Sequence, residues 1–206
     1  MKEGIFITFE GIEASGKTTQ AKMLYSYLKE KGYRTVLTRE PGGTELGKRI
    51  RDILLSHCEE NFPQIAELFL YEADRNIHVH NVIKLGLQKG KVVVSDRFYH
   101  STLAYQHYAR GIDFRLVNYL NEVASEGLKP DITFLLDLDV DLAFSRLKKL
   151  DRIESEGIEF HKKVREGFLQ IAELEPDRVV VIRADGSPEE IFSEVLQTLK
   201  SKKIIA

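Results

Sequence analysis

Between Phe9 and Thr19 the chain reads FEGIEASGKTT, and no other stretch restricts the fold as tightly. Two glycines with four residues between them, then lysine and threonine, fit the phosphate-loop pattern G-x-x-x-x-G-K-[ST]. Glycine lets a backbone turn sharply and approach an anion with no Cβ in the way. The N–H groups at a following helix start then point at phosphate oxygens. Such a loop needs a strand before it and a helix after it, and both are legible. Ile5–Glu10 is β-branched and aromatic, as in a buried strand. Lys17–Lys31 carries Ala21, Leu24, Tyr25 and Leu28 at helical spacing and ends at Gly32. A nucleoside triphosphate is the expected ligand, with Lys17 on its β/γ-phosphates and the Thr18 hydroxyl on Mg²⁺. Glu13 is out of place by charge, a carboxylate inside an anion-binding loop.

Further strands are expected at Thr35–Thr38, Val92–Asp96, Ile132–Asp137 and Arg178–Arg183. Helices are expected at Glu45–Leu55, from Pro63 to near Gly90, at Ser101–Ala109, Phe114–Glu126, Leu142–Leu150 and Phe160–Leu174, and from Pro188 to about Lys200. Continuous apolar strands alternating with helices indicate an α/β fold, a five-stranded parallel sheet flanked by helices on both faces. The length, 206 residues, suits one domain spanning 1–206. A net charge of −2 argues against a protein that coats nucleic acid. No apolar run approaches the ~20 residues that span a bilayer, so no membrane partner is expected. MKEGIFITFEG is too short and too acidic for a signal peptide. The single cysteine, Cys58, forms no internal disulfide and has acidic neighbours unsuited to a nucleophile, so the cytoplasm is the expected compartment.

Ligand groups in such sheets gather at the carboxyl ends of the strands. Arg39, in TREPGG, sits there and either grips a second phosphate or pairs with Glu40. Asp96 and Arg97, in SDRF, follow the third strand; Asp96 either supports Mg²⁺ and Lys17 or caps the strand in a salt bridge. Tyr71 and Arg75 lie four residues apart on the long helix. They either face one cavity and read a nucleobase, or divide between core and rim. Two arginines from different strands point to a second anionic ligand opposite the triphosphate. A nucleoside kinase would instead need a carboxylate base and little positive charge at its acceptor. A guanine-nucleotide switch would show Asn-Lys-x-Asp, which does not occur.

These residues resemble the thymidylate kinase family. FEGIEASGKTT, TREPGG, Asp74-Arg75, DRFYHSTLAYQ, ARGID, PDITFLLD and DRIE follow the family's order and near its spacing. The resemblance implies a P-loop nucleoside monophosphate kinase fold with a short mobile lid, and transfer of the ATP γ-phosphoryl group to dTMP, with Mg²⁺. The ATP phosphates would lie on Gly11, Ile12, Glu13, Ala14, Ser15, Gly16, Lys17, Thr18 and Thr19, with Thr18 and Asp96 at the metal. Arg39 and Arg97 would hold the dTMP phosphate. Arg75 would bond the thymine carbonyl, with Tyr71 stacked on the ring and Ser101, Thr102 and Gln106 around it. Tyr105 would press on the sugar and disfavour a 2′-hydroxyl. Glu13 would lie near the sugar 3′-hydroxyl and the surroundings of the metal. No arginine stands in the loop, so the lid, about 146–158, would supply it from among Arg146, Lys148, Lys149 and Arg152. Arg152 would be the transition-state contact, Arg146 would cover the adenine, and Glu159 would assist the metal. Three positions depart from the common pattern: Phe98, Tyr71 and Thr102 stand where members often carry Tyr, Phe and Asn. The family is usually dimeric through helix packing, so a homodimer is expected.

Overall fold

A computed structural model describes residues 4–57, 60, 62–147 and 150–205. Cys58, Lys148 and Lys149 lie outside the described residues. Five strands, β1 (Ile5–Glu10), β2 (Thr35–Arg39), β3 (Val92–Asp96), β4 (Ile132–Asp137) and β5 (Val179–Arg183), form one sheet in the order β2-β3-β1-β4-β5. Every neighbouring pair is parallel. β3 and β1, at the centre, are almost wholly buried, which is what their unbroken apolar sequence requires. Phe9 and Phe134 stack across β1 and β4 with ring centres 5.4 Å apart.

The helices are α1 (Lys17–Glu30), α2 (Glu45–Leu55), α3 (Gln64–His78), α4 (Lys84–Gln88), α5 (Tyr99–Thr102), α6 (Phe114–Ser125), α7 (Val140–Arg146), α8 (Ile158–Leu174) and α9 (Pro188–Ser201). Local chemistry sets their starts. Thr44, Asp113 and Asp139 accept backbone N–H groups at the beginnings of α2, α6 and α7. Ser187 and Glu190 close a reciprocal capping box on α9. α1 packs on β1, β2, β3 and α9, while α8 packs on β4 and β5. No helix among the described residues is long and apolar enough to cross a membrane.

Strand positions agree with the sequence reading to within a residue. The helices differ in instructive places. The long helix from residue 64 to 88 widens into π-helical turns at Val79–Ile83, and the Tyr99 helix does so at Leu103–Ala109. Apolar spacing does not announce a switch from i→i+4 to i→i+5 bonding. α7 runs Val140–Arg146 rather than Leu142–Leu150, because Asp139 caps it early and Leu147 turns extended.

The register brings the functional ends together. Asp96 pairs with Phe9 on one side and Arg39 on the other. The three strands therefore deliver their carboxyl ends to one edge, directly above α1. Phe134→Ala should lower the stability by about 3–5 kcal/mol. A urea titration checks this: the midpoint falls while the slope is unchanged.

Candidate active site

The phosphate loop is built as its glycines require. A Cβ at Gly11 would sit 2.5 Å from the Leu136 carbonyl oxygen, and φ there is 139°. Gly16, at φ 96°, opens α1. Ala14 takes the left-handed conformation (φ 54°) without being glycine. Lys17 lies folded over its own loop, donating to the Ile12 carbonyl at 2.5 Å and to Ser15 Oγ at 3.3 Å. Burial and nearby Arg97 push its amine down to about 8, against the opposing pull of Asp96, Glu13 and Glu10. Ile12 is buried in the core and Thr19 is exposed.

The Thr18 hydroxyl donates to Asp96 Oδ2, so the two residues assigned to a metal are adjacent. Magnesium characteristically takes one or two protein oxygens, with water and phosphate completing its octahedron. This hydroxyl–carboxylate pair beside the loop fits that demand.

Glu13 does not point into solvent. Its Oε1 accepts from Arg97 Nη2 at 3.0 Å and from the Tyr105 hydroxyl. Burial alone would raise its pKa, but His161, Arg97 and Lys17 hold the carboxyl well below the usual range. Arg97 itself spans the site. Nη1 donates to the Gly11 carbonyl (3.0 Å) and Ser101 Oγ (2.9 Å), and Nη2 also reaches the Tyr105 hydroxyl at 3.2 Å. Among the described residues only its Nε–H has no partner.

Arg39 is not paired with Glu40. Glu40 turns inward to Arg75 Nε at 3.0 Å and His78 Nδ1 at 2.8 Å. Arg39 makes no hydrogen bond or ion pair among the described residues and lines the cavity between the phosphate loop and Arg75, about 200 Å³ in volume. Arg51, which the sequence reading passed over, lines the same cavity. Burial and then the charges of Arg39 and Arg97 lower its pKa. Lys17, Arg39, Arg51 and Arg97 thus repel one another across a single space, and an anion seated among them relieves that repulsion.

The helix pair is also decided. Arg75, not Tyr71, is the buried member, and both line the cavity. Glu72 grips Arg75 Nη1 with both oxygens at 2.9 Å, Asn121 Oδ1 accepts from it at 2.7 Å, and Thr102 Oγ1 accepts from Nη2 at 2.9 Å. One Nη2 N–H has no partner among the described residues. Phe98, at the departure from the common pattern, lies in the core with the guanidinium 5.5 Å above its ring. Ser101 donates to Glu10 Oε2 at 2.6 Å, and Glu10 Oε1 accepts the Phe98 N–H at 2.8 Å. Gln106 Nε2 donates to Glu67 at 3.0 Å.

The lid residues divide. Arg146 reaches the Ala14 carbonyl at 3.3 Å, on the rim of the loop. Asp151, Ile153 and Glu154 line the cavity. Arg152 does not. It donates to the Leu54 carbonyl at 2.7 Å and to Glu67 Oε2 at 2.6 Å, and lies 4.5 Å over the Phe62 ring. Glu159 is exposed and pairs with Lys162. The sequence reading did not find the partners of Glu40 and Glu67, since only the fold brings Glu40 to Arg75 and His78 and Glu67 to Arg110 and Arg152.

A strand–loop–helix phosphate cradle, an adjoining cation cluster and a buried arginine at one end of the same cavity define a P-loop phosphotransferase. The model of the family described as thymidylate kinase matches residues 9–195. A thymidylate kinase from Sulfurihydrogenibium sp. is 58% identical, over 98% of this chain and 100% of its own length. One from Maridesulfovibrio salexigens is 47% identical over 93% of each chain. The crystal structure of thymidylate kinase from Ehrlichia chaffeensis superimposes with a TM-score of 0.81 at 38% identity, covering 96% of this chain and 99% of that one. The chain belongs to the thymidylate kinase family.

The depressed Lys17 has a measurable consequence. A triphosphate beside it raises its pKa, so binding at pH 8 should take up about half a proton. Calorimetry in buffers of different ionisation heat checks this; heats that do not vary with buffer would contradict the depression.

Proposed function

We propose that this member of the family transfers the γ-phosphoryl group of ATP to dTMP, giving dTDP and ADP, within the one cleft described above. The observation that carries the reading is the set of cations with no carboxylate hydrogen-bonded to them among the described residues, Lys17, Arg39 and Arg51, which line one cavity with the buried Arg75. The loop backbone and Lys17 hold the donor phosphates, and Arg146 covers the adenine from the loop rim. Arg39 and Arg97 take the acceptor phosphate, and Arg51 adds a third cation. The free Nη2 N–H of Arg75 meets the thymine carbonyl, with Tyr71 against the ring. Ser101 and Thr102 act by fixing the guanidinium groups of Arg97 and Arg75. Tyr105 and Gln106 form the wall, and Glu13 receives the sugar 3′-hydroxyl.

The acceptor phosphate is largely dianionic at neutral pH, its second pKa being about 6. It needs no general base to become a nucleophile. The obstacle is bringing two polyanions into line, and the cation cluster offsets it. Mg²⁺ bound at Thr18 and Asp96 would add charge neutralisation on the β- and γ-oxygens. For Arg152 to reach the reacting phosphoryl group, the lid segment 146–158 must close, releasing Leu54 and Glu67. Closure also excludes water, which would otherwise compete for the phosphoryl group. A single cysteine with no internal disulfide suits a cytoplasmic enzyme.

ADP release measured with thymidine, dTMP, dUMP and dCMP tests the acceptor. dTMP should be preferred and thymidine inert; a preference for thymidine would overturn the reading. In the same assay Arg152→Ala should lower kcat by about 10³-fold with a smaller change in KM for dTMP. Unchanged turnover removes Arg152 from the mechanism.

A homodimer is part of the reading. Ile53 on α2, Phe69 on α3, and Tyr119 and Val123 on α6 are more than half exposed. α3 packs against both α2 and α6, so these side chains belong to adjoining helices. An apolar face of this kind suits a second copy. The double variant Phe69→Glu, Tyr119→Glu should run as a monomer in light scattering where the parent runs as a dimer.

A further inference from the structure

His161, in the first turn of α8, is fully buried, and neither ring nitrogen has a hydrogen-bond partner among the described residues. Glu13 Oε2 is likewise buried and, among the described residues, without a hydrogen-bond partner. The two groups face each other: Nδ1 stands 3.2 Å from Oε2, close enough for an ion pair but outside hydrogen-bond geometry. Unsatisfied buried polar atoms are costly, and two that lie within reach of one another point to a bond made in another state of the site.

The imidazole is confined. Phe144 and Phe160 meet it edge-on, with ring centres 4.9 and 5.3 Å away. One turn further along α8, Arg165 clasps both carboxylate oxygens of Asp137, at 2.7 and 3.0 Å. The helix is therefore pinned to the end of β4, and the freedom left to His161 is rotation of its ring. The charged and titratable groups around the pair are Lys17, Tyr71, Arg97 and Tyr105 on the Glu13 side and Glu154 on the His161 side.

We propose that His161 is a positioning residue for Glu13: a small ring rotation lets Nδ1–H donate to Oε2 when the site is filled. The physical need is plain. A carboxylate beside a triphosphate is repelled by like charge, and its other oxygen is the only place left for a restraint. With Oε2 held, Oε1 keeps Arg97 and Tyr105 in place, so His161 acts on the acceptor half of the cleft through Glu13. This rests on the acceptor roles proposed above for Glu13, Arg97 and Tyr105.

The test uses His161→Phe, which keeps the ring volume and removes both nitrogens, and His161→Asn, whose amide N–H falls near the place of Nδ1. His161→Phe should raise KM for dTMP about tenfold or more, with a smaller change in kcat and in KM for ATP. His161→Asn should largely restore it. Nitrogen-15 NMR of labelled histidine in the dTMP-bound protein should show a protonated Nδ1 whose resonance moves in Glu13→Gln. A bare Nδ1 overturns the proposal. So does a normal KM in His161→Phe when Glu13→Gln raises it, and in that case the reading of Glu13 survives. If both variants leave KM unchanged while Nδ1 is protonated and responds to Glu13→Gln, the contact stands and the acceptor role of Glu13 falls.

Discussion

The guanidinium of Arg97 is the tie on which the rest of the site depends. It reaches the phosphate loop at Gly11 and Glu13 and the opposite wall at Ser101 and Tyr105. The backbone takes a left-handed turn to place it there, with φ 74° on a residue that is not glycine. Such a conformation costs on the order of 1–2 kcal/mol and persists only where the surroundings demand it. The surroundings do. The Arg97 N–H donates to the Phe9 carbonyl, Ser95 Oγ donates to the Arg97 carbonyl, and Glu10 grips the following turn through Phe98 and Ser101. The phosphate loop and the opposite wall are thus held at one spacing by a single residue.

Around that tie the charges fall into two groups. Arg75 and Arg110 are matched by buried carboxylates, Glu40 and Glu72 for the first and Glu67 for the second. Ion pairs of this kind add little net stability, yet removing one partner leaves a bare buried charge, so their geometry is rigid. Lys17, Arg39 and Arg51 have no carboxylate hydrogen-bonded to them among the described residues. The matched arginines are fixed by their partners, and the unmatched cations line the cavity. Arg97 stands between the groups: Glu13 pairs with it, and its Nε–H has no partner among the described residues.

Much of this was legible from the chain alone. Strands with unbroken apolar runs and the glycine spacing of the loop located the sheet and the edge to which β2 and β3 deliver Arg39, Asp96 and Arg97. What failed to show was partnership over distance. Glu40 looked like a neighbour for Arg39, but its partners are 35 and 38 residues away on α3. Arg152 has a helix end and Glu67 as its partners, which no spacing within the lid could indicate. The π-helical turn that carries Tyr105 and Gln106 to the wall leaves no periodic signature, because one extra residue per turn shifts a face without changing its composition. The carboxylate in the phosphate loop was the plainest anomaly in the sequence. The structure answers it with three neighbours, Arg97, Tyr105 and His161, of which none lies nearby in the chain.

A crystal structure with a bisubstrate ligand, adenosine joined through a phosphate chain to thymidine, tests the central claim most directly. The account places the thymine ring against Tyr71 and within hydrogen-bond reach of Arg75, the phosphates among Lys17, Arg39, Arg51 and Arg97, and the adenine under Arg146. Density for the thymidine half outside that cavity, or phosphates that leave Arg39 and Arg51 unliganded, would contradict it.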